Sequence, residues 1–508
     1  MNKAPLPPIR SSSSLSGCYD GVVIGAGMAG LSCAALLAEE GLKVLVVEQH
    51  RKPGGYCTSF QRAGFTFDVA INSLSSCNRQ GWIGSLLRRL GLEGEADLIP
   101  LDPIKELVFP GFRFSLPGSY QEYLGRLKEG FPAEAKGIEE VFGTLEGIFE
   151  ELKRMPLRLE MDSRKGFGEN FPHFTRYRSM TLAELLDRHL QDHRLKAIIS
   201  GQCMYTGVSP ARASLICVSS MLLGYLKDGS YQARGGVQAL PDLLARRLLS
   251  RGAHLLFSRQ VERIATSGER AVGVRLEGGQ QVGAGAVVSA MDARRTFFQL
   301  LPEDGITANL RRRIQAMRPS SSYFMVFLGL DLPLHRMDLC HHIDYFSSFD
   351  IESIFQTQMT GELKEEAISL GMVIPTLMDP SLAPPGKHIL TLSLLSPYRG
   401  KDLWAARREQ VADRLIGIAE GLVPQLSRHI QVKEISTPLT LERYTSNFEG
   451  AAYGWEQSPD QSGPRRLPPR TPIQNLYLAG HWTYPGGGVA SVTVSGRMVA
   501  EEILQGRA

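Results

Sequence analysis

Cysteine is scarce in this chain of 508 residues: seven, odd in number, scattered, with no CxxC and no Cys/His cluster at metal-ligand spacing. A disulfide framework and a structural zinc site are thereby excluded, and a reducing, cytoplasmic setting is the simplest expectation. Long apolar runs are also missing, since none reaches the roughly 18 residues that a membrane span requires. The longest, Ile216 to Leu226, is broken by Ser219, Ser220 and Gly224. The N-terminus carries no charged head followed by an apolar run and a small-residue cleavage site, so the chain is expected to lie at most on a membrane surface. Nor does one sign of charge dominate: 56 Lys and Arg face 52 Asp and Glu, leaving +4 without a dense basic block. Nucleic acid therefore has no electrostatic footprint here. Solenoid repeats are absent. So is a G-x-S-x-G elbow, because Ser495, the serine near the glycine-rich C-terminus, falls inside a predicted helix, which removes Ser-His-Asp hydrolysis.

What is present is a globular composition, with 43% hydrophobic and 21% charged residues, on a chain long enough for two or three domains. Residues 1–16, rich in proline and serine, read as a flexible tail that need not pack against anything. From Tyr19 the sequence YDGVVIGAGMAGLSCAALLAEEGLKVLVVEQ predicts strand (Val22 to Ile24), glycine turn, helix (Leu31 to Glu39) and a second strand closed by Glu48. A helix from Ala239 to Leu249 and four short strands (HLLFS, VERIAT, AVGVRLE, GAVVSA) follow in the region 228–300. The C-terminus reads as strand (NLYLAG), PGGG turn and helix. Two longer segments between these are richer in amphipathic helix, proline and aromatics.

Gly25-Ala26-Gly27-Met28-Ala29-Gly30 matches G-x-G-x-x-G. In a chain with 52 glycines the motif alone is weak, and its strand–helix–strand setting makes it strong. Gly25 allows the tight turn, Gly27 leaves room for a pyrophosphate, Gly30 lets the helix approach the sheet, and the helix N-terminus offers free N–H groups to the phosphates. Glu48, read as an uncompensated acceptor, suits ribose hydroxyls and disfavours a 2′-phosphate, pointing to an FAD- or NAD-type adenosine half. No second such motif follows an apolar strand, so a separate nicotinamide domain is not expected.

After Glu48 the stretch HRKPGGYCTSFQRAGFTFD resembles the second FAD signature of flavin amine oxidases and phytoene desaturases. GSYQARGGVQALPDLLARRLLSRGA, MYTGVSPARAS at 204–214 and the terminal YGWEQSPDQSGPRRLPPRTPIQNLYLAGHWTYPGGGVASVTVSGRMVAEEIL are similar to the phytoene desaturase, carotenoid isomerase and retinol saturase branch. The resemblance implies a two-domain α/β fold. A discontinuous Rossmann-like FAD domain would come from 17–80, 228–300 and 470–508, and a mixed-sheet and helical substrate domain from 81–227 and 301–469. It also implies that Gly25, Ala26, Gly27 and Gly30 face the pyrophosphate, Glu48 the ribose, and Val261 the adenine through its backbone. Gly54 and Gly55 would bring backbone close to the cofactor. Gly480 would end the last strand, with Gly487, Gly488 and Val489 leading a helix whose positive end sits under the flavin. Three residues depart from the amine oxidase pattern: Tyr56 in place of arginine after the double glycine, Ala70 in place of glycine after Phe67-Asp68, and His481 in place of an acid.

His481 and Tyr484, between the last strand and PGGG, are candidates to donate a hydrogen bond or proton near the flavin; packing and cofactor placement is the competing role. Tyr231 and Arg234 line a substrate cavity or form a turn. The run Ile216 to Leu226 and the strand Tyr323 to Leu328 wall an apolar tunnel or belong to ordinary core. His341, His342 and Asp344 read as a solvated loop rather than a metal site. The activity expected from the resemblance is FAD-dependent desaturation, saturation or cis-trans isomerisation of a hydrophobic polyene, with peripheral membrane contact and an open question as to electron acceptor. Oxidation of an amine or other small molecule on the same fold, and a flavin-binding protein without turnover, are the alternatives.

Overall fold

The computed structural model describes residues 11, 12, 15, 17–156, 166–302, 305–399 and 401–506. Most of the expected 1–16 tail lies outside the described residues, as do short stretches of the two expected domains.

Two seven-stranded sheets organise the chain. In the first, Cys18–Ile24 lies between Val44–Val47 and Gln281–Ser289, both parallel to it, with His254–Leu256 beyond Val44–Val47 at one edge. On its other side Gln281–Ser289 serves two further partners: its start pairs antiparallel with Arg270–Leu276, its end parallel with Leu476–Leu478. Val261–Ser267 completes the antiparallel meander. The central strands are apolar on both faces because both are covered. On one face sits the helix Met28–Glu39, buried almost all round since it is also packed by Ala239–Ser250 and the C-terminal helix Val489–Gln505. That last contact is close: a Cβ on Gly496 would stand 2.2 Å from the Ala29 carbonyl oxygen. The first helix begins at Met28, three residues earlier than the pattern predicts, with Gly27 at its N-cap.

The second sheet runs Ile430–Ser436, Ser322–Leu330, His388–Ser396, Ser369–Val373, His342–Phe346, Lys105–Phe109 and Phe112–Leu116. All its pairs are antiparallel except His342–Phe346 with Lys105–Phe109. Every residue of His388–Ser396 is buried. Helix Lys401–Glu420 shares a core with one face of this sheet, and a cluster of helices that includes Ala135–Arg154 and Leu215–Leu226 lies over part of the other. The architecture is a two-domain α/β fold.

Three local expectations need correction. Ser11 and Ser12 are not idle: the Ser12 N–H donates to Leu255 O (2.7 Å), and the two serine hydroxyl oxygens accept from Leu255 and Phe257 N–H. The edge strand His254–Leu256 otherwise presents unpaired backbone groups, and these residues answer them. Tyr231 is in a strand, Ser230–Ala233, opposite Leu74, and Arg234 pairs with Asp97 at 3.0 Å. His342 and Asp344 lie in a strand between two neighbours and, with His341, are buried rather than solvated.

Candidate active site

The first cavity, about 470 Å³, lies at the C-terminal ends of the parallel strands, where open α/β sheets bind ligands. Gly25 adopts φ +99°, a left-handed turn that a side chain would strain, and its N–H donates to Val47 O (2.8 Å). Gly27 has an ordinary φ of −69°, and a Cβ there would meet nothing within 4 Å, so its missing side chain leaves the helix N-terminus open to the cavity. A Cβ on Gly30 would come within 2.1 Å of Gly25 O, so this glycine serves close packing of helix on turn. The double glycine docks on the same loop: the Gly54 N–H donates to Ala26 O (2.8 Å), and Gly55 lies against Gly27.

Two expected contacts come out differently. Ala26 is fully buried and does not line the cavity, because its N–H is turned to Glu48 Oε2 (2.8 Å). Glu48 is for the same reason not an uncompensated acceptor: Oε1 also accepts from the His50 N–H (2.9 Å). A carboxylate offers about four lone-pair sites, so half of its capacity still faces the cavity that Glu48 lines. Val261, opening its strand, and Gly480, whose N–H donates to Ser495 Oγ (2.9 Å), line the same cavity. At its other end stands the helix Val489–Gln505, whose N-cap Gly488, like Gly27, makes no side-chain cap. Two uncapped helix N-termini, a cradle that a Cβ at Gly27 would invade and a strand-end carboxylate are what a dinucleotide needs, and the residues present fit FAD.

A second cavity, about 200 Å³, lies against the first. Ala70, Ile71, Tyr323, Tyr453, Gly488 and Val489 line both, so the two cavities share a wall. Tyr323 and Tyr453 join their hydroxyls at 2.9 Å, and Tyr323 donates to Met204 O (3.1 Å). Burial raises the pKa of both, so they stand there as neutral phenols. Beyond the wall the second cavity is bounded by Ile216, Cys217, Met221 and Tyr225 of one helix and by Met325 of the second sheet, so both stretches weighed as tunnel or core face the cavity. Gly487 lines this cavity and not the first.

The two candidate catalytic side chains part company. His481 lines the first cavity, with Nε2 3.1 Å from Asn447 Oδ1 and its ring 6.0 Å from that of Tyr56. Burial, and then the Arg466 guanidinium, hold its pKa down to about 3, so near neutral pH it carries no extra proton. Tyr484 lines the second cavity, its hydroxyl 3.8 Å from Met155 Sδ and its pKa pushed up to about 12 by burial. Neither is poised to ionise; what each offers is a neutral hydrogen-bonding group.

Several residues shape the site without the sequence having given them that role. Arg466, about 1% exposed, donates to the carbonyls of Tyr453 (3.2 Å), Trp455 (2.9 Å), His481 (2.7 Å) and Thr483 (3.1 Å), tying the loop of Tyr453 to the turn of His481. Lys105 and Asp344 form a buried pair at 2.9 Å, with Asp344, His342 and Tyr205 on the lining of the second cavity. Among the described residues, no group of three or more His, Cys, Asp or Glu side chains is placed to hold a metal ion.

The profile of the family described as flavin containing amine oxidoreductase matches residues 28–504. The zeta-carotene-forming phytoene desaturase of Myxococcus xanthus is 30% identical, over 95% of this chain and 93% of its own. The chloroplastic prolycopene isomerase of Daucus carota is 29% identical, over 96% and 80%. The all-trans-retinol 13,14-reductase of Danio rerio is 25% identical, over 91% and 82%. Among solved structures, an oxidoreductase from Methanosarcina mazei shares the fold with a TM-score of 0.65 at 18% identity, covering 95% of this chain and 99% of that one. A putrescine oxidase bound to putrescine shares it at 0.63 and 14%, covering 96% and 99%. With its glycine cradle, its second cavity and a family match over residues 28–504, the chain belongs to the flavin containing amine oxidoreductase family and is an FAD-dependent oxidoreductase.

Proposed function

We propose that the protein acts on carbon-carbon double bonds of a hydrophobic polyene. The observation that carries this reading is the wall of Ala70, Ile71, Tyr323, Tyr453, Gly488 and Val489 shared by the dinucleotide cavity and a second cavity faced by apolar and aromatic side chains. The named activities of the desaturase, isomerase and reductase relatives support it. FAD, when bound, supplies acceptance or donation of hydride. The chain's own part is placement: Tyr323 and Tyr453 hold the wall, Gly488 leaves it open, and the apolar lining strips water from the substrate. A small cationic amine would want an unpaired carboxylate, whereas Asp344, the acidic residue among those described on the lining, is already paired with Lys105.

On this reading, the segments 17–80, 228–300 and 470–508, which supply every strand of the first sheet, hold the cofactor. The segments 81–227 and 301–469, which supply every strand of the second, hold the substrate. Gly25, Gly27, Gly54, Gly55, Glu48 and Val261 take the adenosine diphosphate half, and Gly480, Gly488 and Val489 the flavin half. No helix among the described residues is long and apolar enough to cross a membrane, and collection of so apolar a substrate at a lipid surface belongs to the proposal.

The test is the mass and retention of a linear polyene incubated with the purified holoenzyme, oxidised or photoreduced, without oxygen. Loss or gain of two hydrogens identifies desaturation or saturation. Unchanged mass with shifted retention, seen only with reduced flavin, identifies isomerisation. No change under either condition overturns the reading in favour of small-molecule oxidation.

A further inference from the structure

The floor of the second cavity is a single row of cross-strand neighbours. Met325 pairs with Ser393, Ser393 with Gly371, and Gly371 with Asp344, and all four line the cavity. Tyr323, on the shared wall, lies two residues before Met325 and so on the same face of its strand. Three inter-strand steps of about 4.8 Å place Asp344 roughly 14 Å along the floor from that strand. Gly371 keeps the row low, since a Cβ there would press to 2.5 Å from Ser393 Oγ. The floor therefore leads away from the flavin wall to one end, and that end is not apolar.

At Asp344 the lining turns polar. Lys105 donates to Asp344 Oδ2 (2.9 Å), Tyr205 Oη lies 2.9 Å from His342 Nε2 and 3.4 Å from Asp344 Oδ2, and His342 Nε2 lies 3.4 Å from Asp344 Oδ1. The Lys105 ammonium sits 3.8 Å from the centre of the Tyr205 ring. Lys105, His342 and Asp344 are each under 5% exposed. Behind Tyr205 a gap of about 10 Å³ is lined by Lys105, His342 and Gln202 as well, and the Gln202 Nε2, buried, has no hydrogen-bond partner.

Stability does not call for this cluster, because a buried ion pair recovers little more than its own desolvation and apolar residues of like volume would fill the space as well. Its inventory is lopsided toward donors. Behind the lining, Lys105 has three N–H groups with one directed to Asp344, and Gln202 Nε2 has two without a partner. On the lining, Tyr205 remains a protonated phenol because burial and the Asp344 carboxylate raise its pKa; with the proton of His342 held on Nε2 beside Asp344 and donated to Tyr205 Oη, the phenol O–H reaches Asp344 Oδ2 only at a long 3.4 Å. The charges of Lys105 and Asp344 cancel, so the cluster suits a neutral group rather than a carboxylate or an ammonium. We infer that the far end of the substrate cavity is a recognition site for a neutral oxygen, hydroxyl or carbonyl, at one terminus of an elongated apolar substrate, with Tyr205 as the donor that meets it and Lys105, His342 and Asp344 holding Tyr205 in place.

The inference rests on the polyene reading, and equilibrium binding separates the two. Dissociation constants are measured on the FAD-loaded enzyme for a linear conjugated polyene bearing one terminal hydroxyl and for the hydrocarbon of the same length. The alcohol is expected to bind at least about tenfold more tightly, the scale of one short hydrogen bond made to a buried phenol in place of its long 3.4 Å bond to Asp344. Tyr205→Phe, which keeps the ring, is expected to bring the ratio below about threefold. Equal binding of the two polyenes by the wild-type enzyme, which needs no variant to fold, overturns the inference. So does a ratio that survives Tyr205→Phe, and so does failure of both polyenes to bind. A clear preference without any change of mass or retention would sink the reaction proposed above and leave the oxygen site standing; turnover without preference would do the reverse.

Discussion

At the scale of single residues, the glycines divide by what a methyl group would meet. Gly27 has an extended backbone that any residue adopts (φ −69°, ψ 172°) and open space before it, so Gly27→Leu is expected to fold with a Tm within about 2 °C of the wild-type apoprotein while weakening FAD retention at least about tenfold, read from flavin absorbance after gel filtration. The buried histidines set the response to acid. His341 and His481 have pKa values held at about 4 and about 3 by burial, against 6.5 for the unfolded chain. The unfolded chain takes up their protons near pH 6.5 and the folded one refuses them, so stability is full above that pH and falls as the pH drops toward 3. The slope is about 1.4 kcal/mol per pH unit for each proton. Thermal unfolding between pH 7 and 5 checks this, and His481→Gln should flatten the decline. The motif glycines and Glu48 were legible because their spacing is local. Tyr453 and Arg466 lie inside the terminal stretch that carries the resemblance, yet their roles, like that of Lys105, were not legible, because each finds its partners across gaps of chain that no periodicity encodes; Lys105 and Asp344 are 239 positions apart.

Elements were legible where one face is core and the next is solvent, and misread where a face borders a cavity. The run from Ile216 to Leu226 is apolar throughout, and periodicity does not distinguish a side chain against core from one against an apolar hollow, although the helix Leu215–Leu226 does both. The strand His342–Phe346 carries His342 and Asp344 on one face, a pattern that mimics a solvated edge; only the strands on either side and the helices above bury it. Contact between helices Met28–Glu39 and Val489–Gln505 was likewise invisible, since it rests on the absence of a side chain at Gly496. Gly496→Val is expected to cost about 1–3 kcal/mol by overpacking against Ala29 and Ser32, measured as a shift in urea midpoint with unchanged m.

At the scale of the whole molecule, the sequence order hides two sheets that are each assembled from remote segments. The glycine motif announced the first, while the second was expected only from the resemblance, because its strands lack any shared signature. One edge of the first sheet is where the chain meets the outside, and there Ser11 and Ser12 occupy the hydrogen-bonding side of His254–Leu256. A short N-terminal segment that tiles an open strand acts as a built-in competitor against any second chain seeking the same groups. Removing residues 1–12 should therefore leave FAD content unchanged yet convert the protein into one whose sedimentation coefficient rises with concentration, and a synthetic peptide of those twelve residues should reverse it. On that outcome Ser11 and Ser12 guard against self-recognition, keeping a sheet that binds a cofactor at one end from recruiting its own copies at its side.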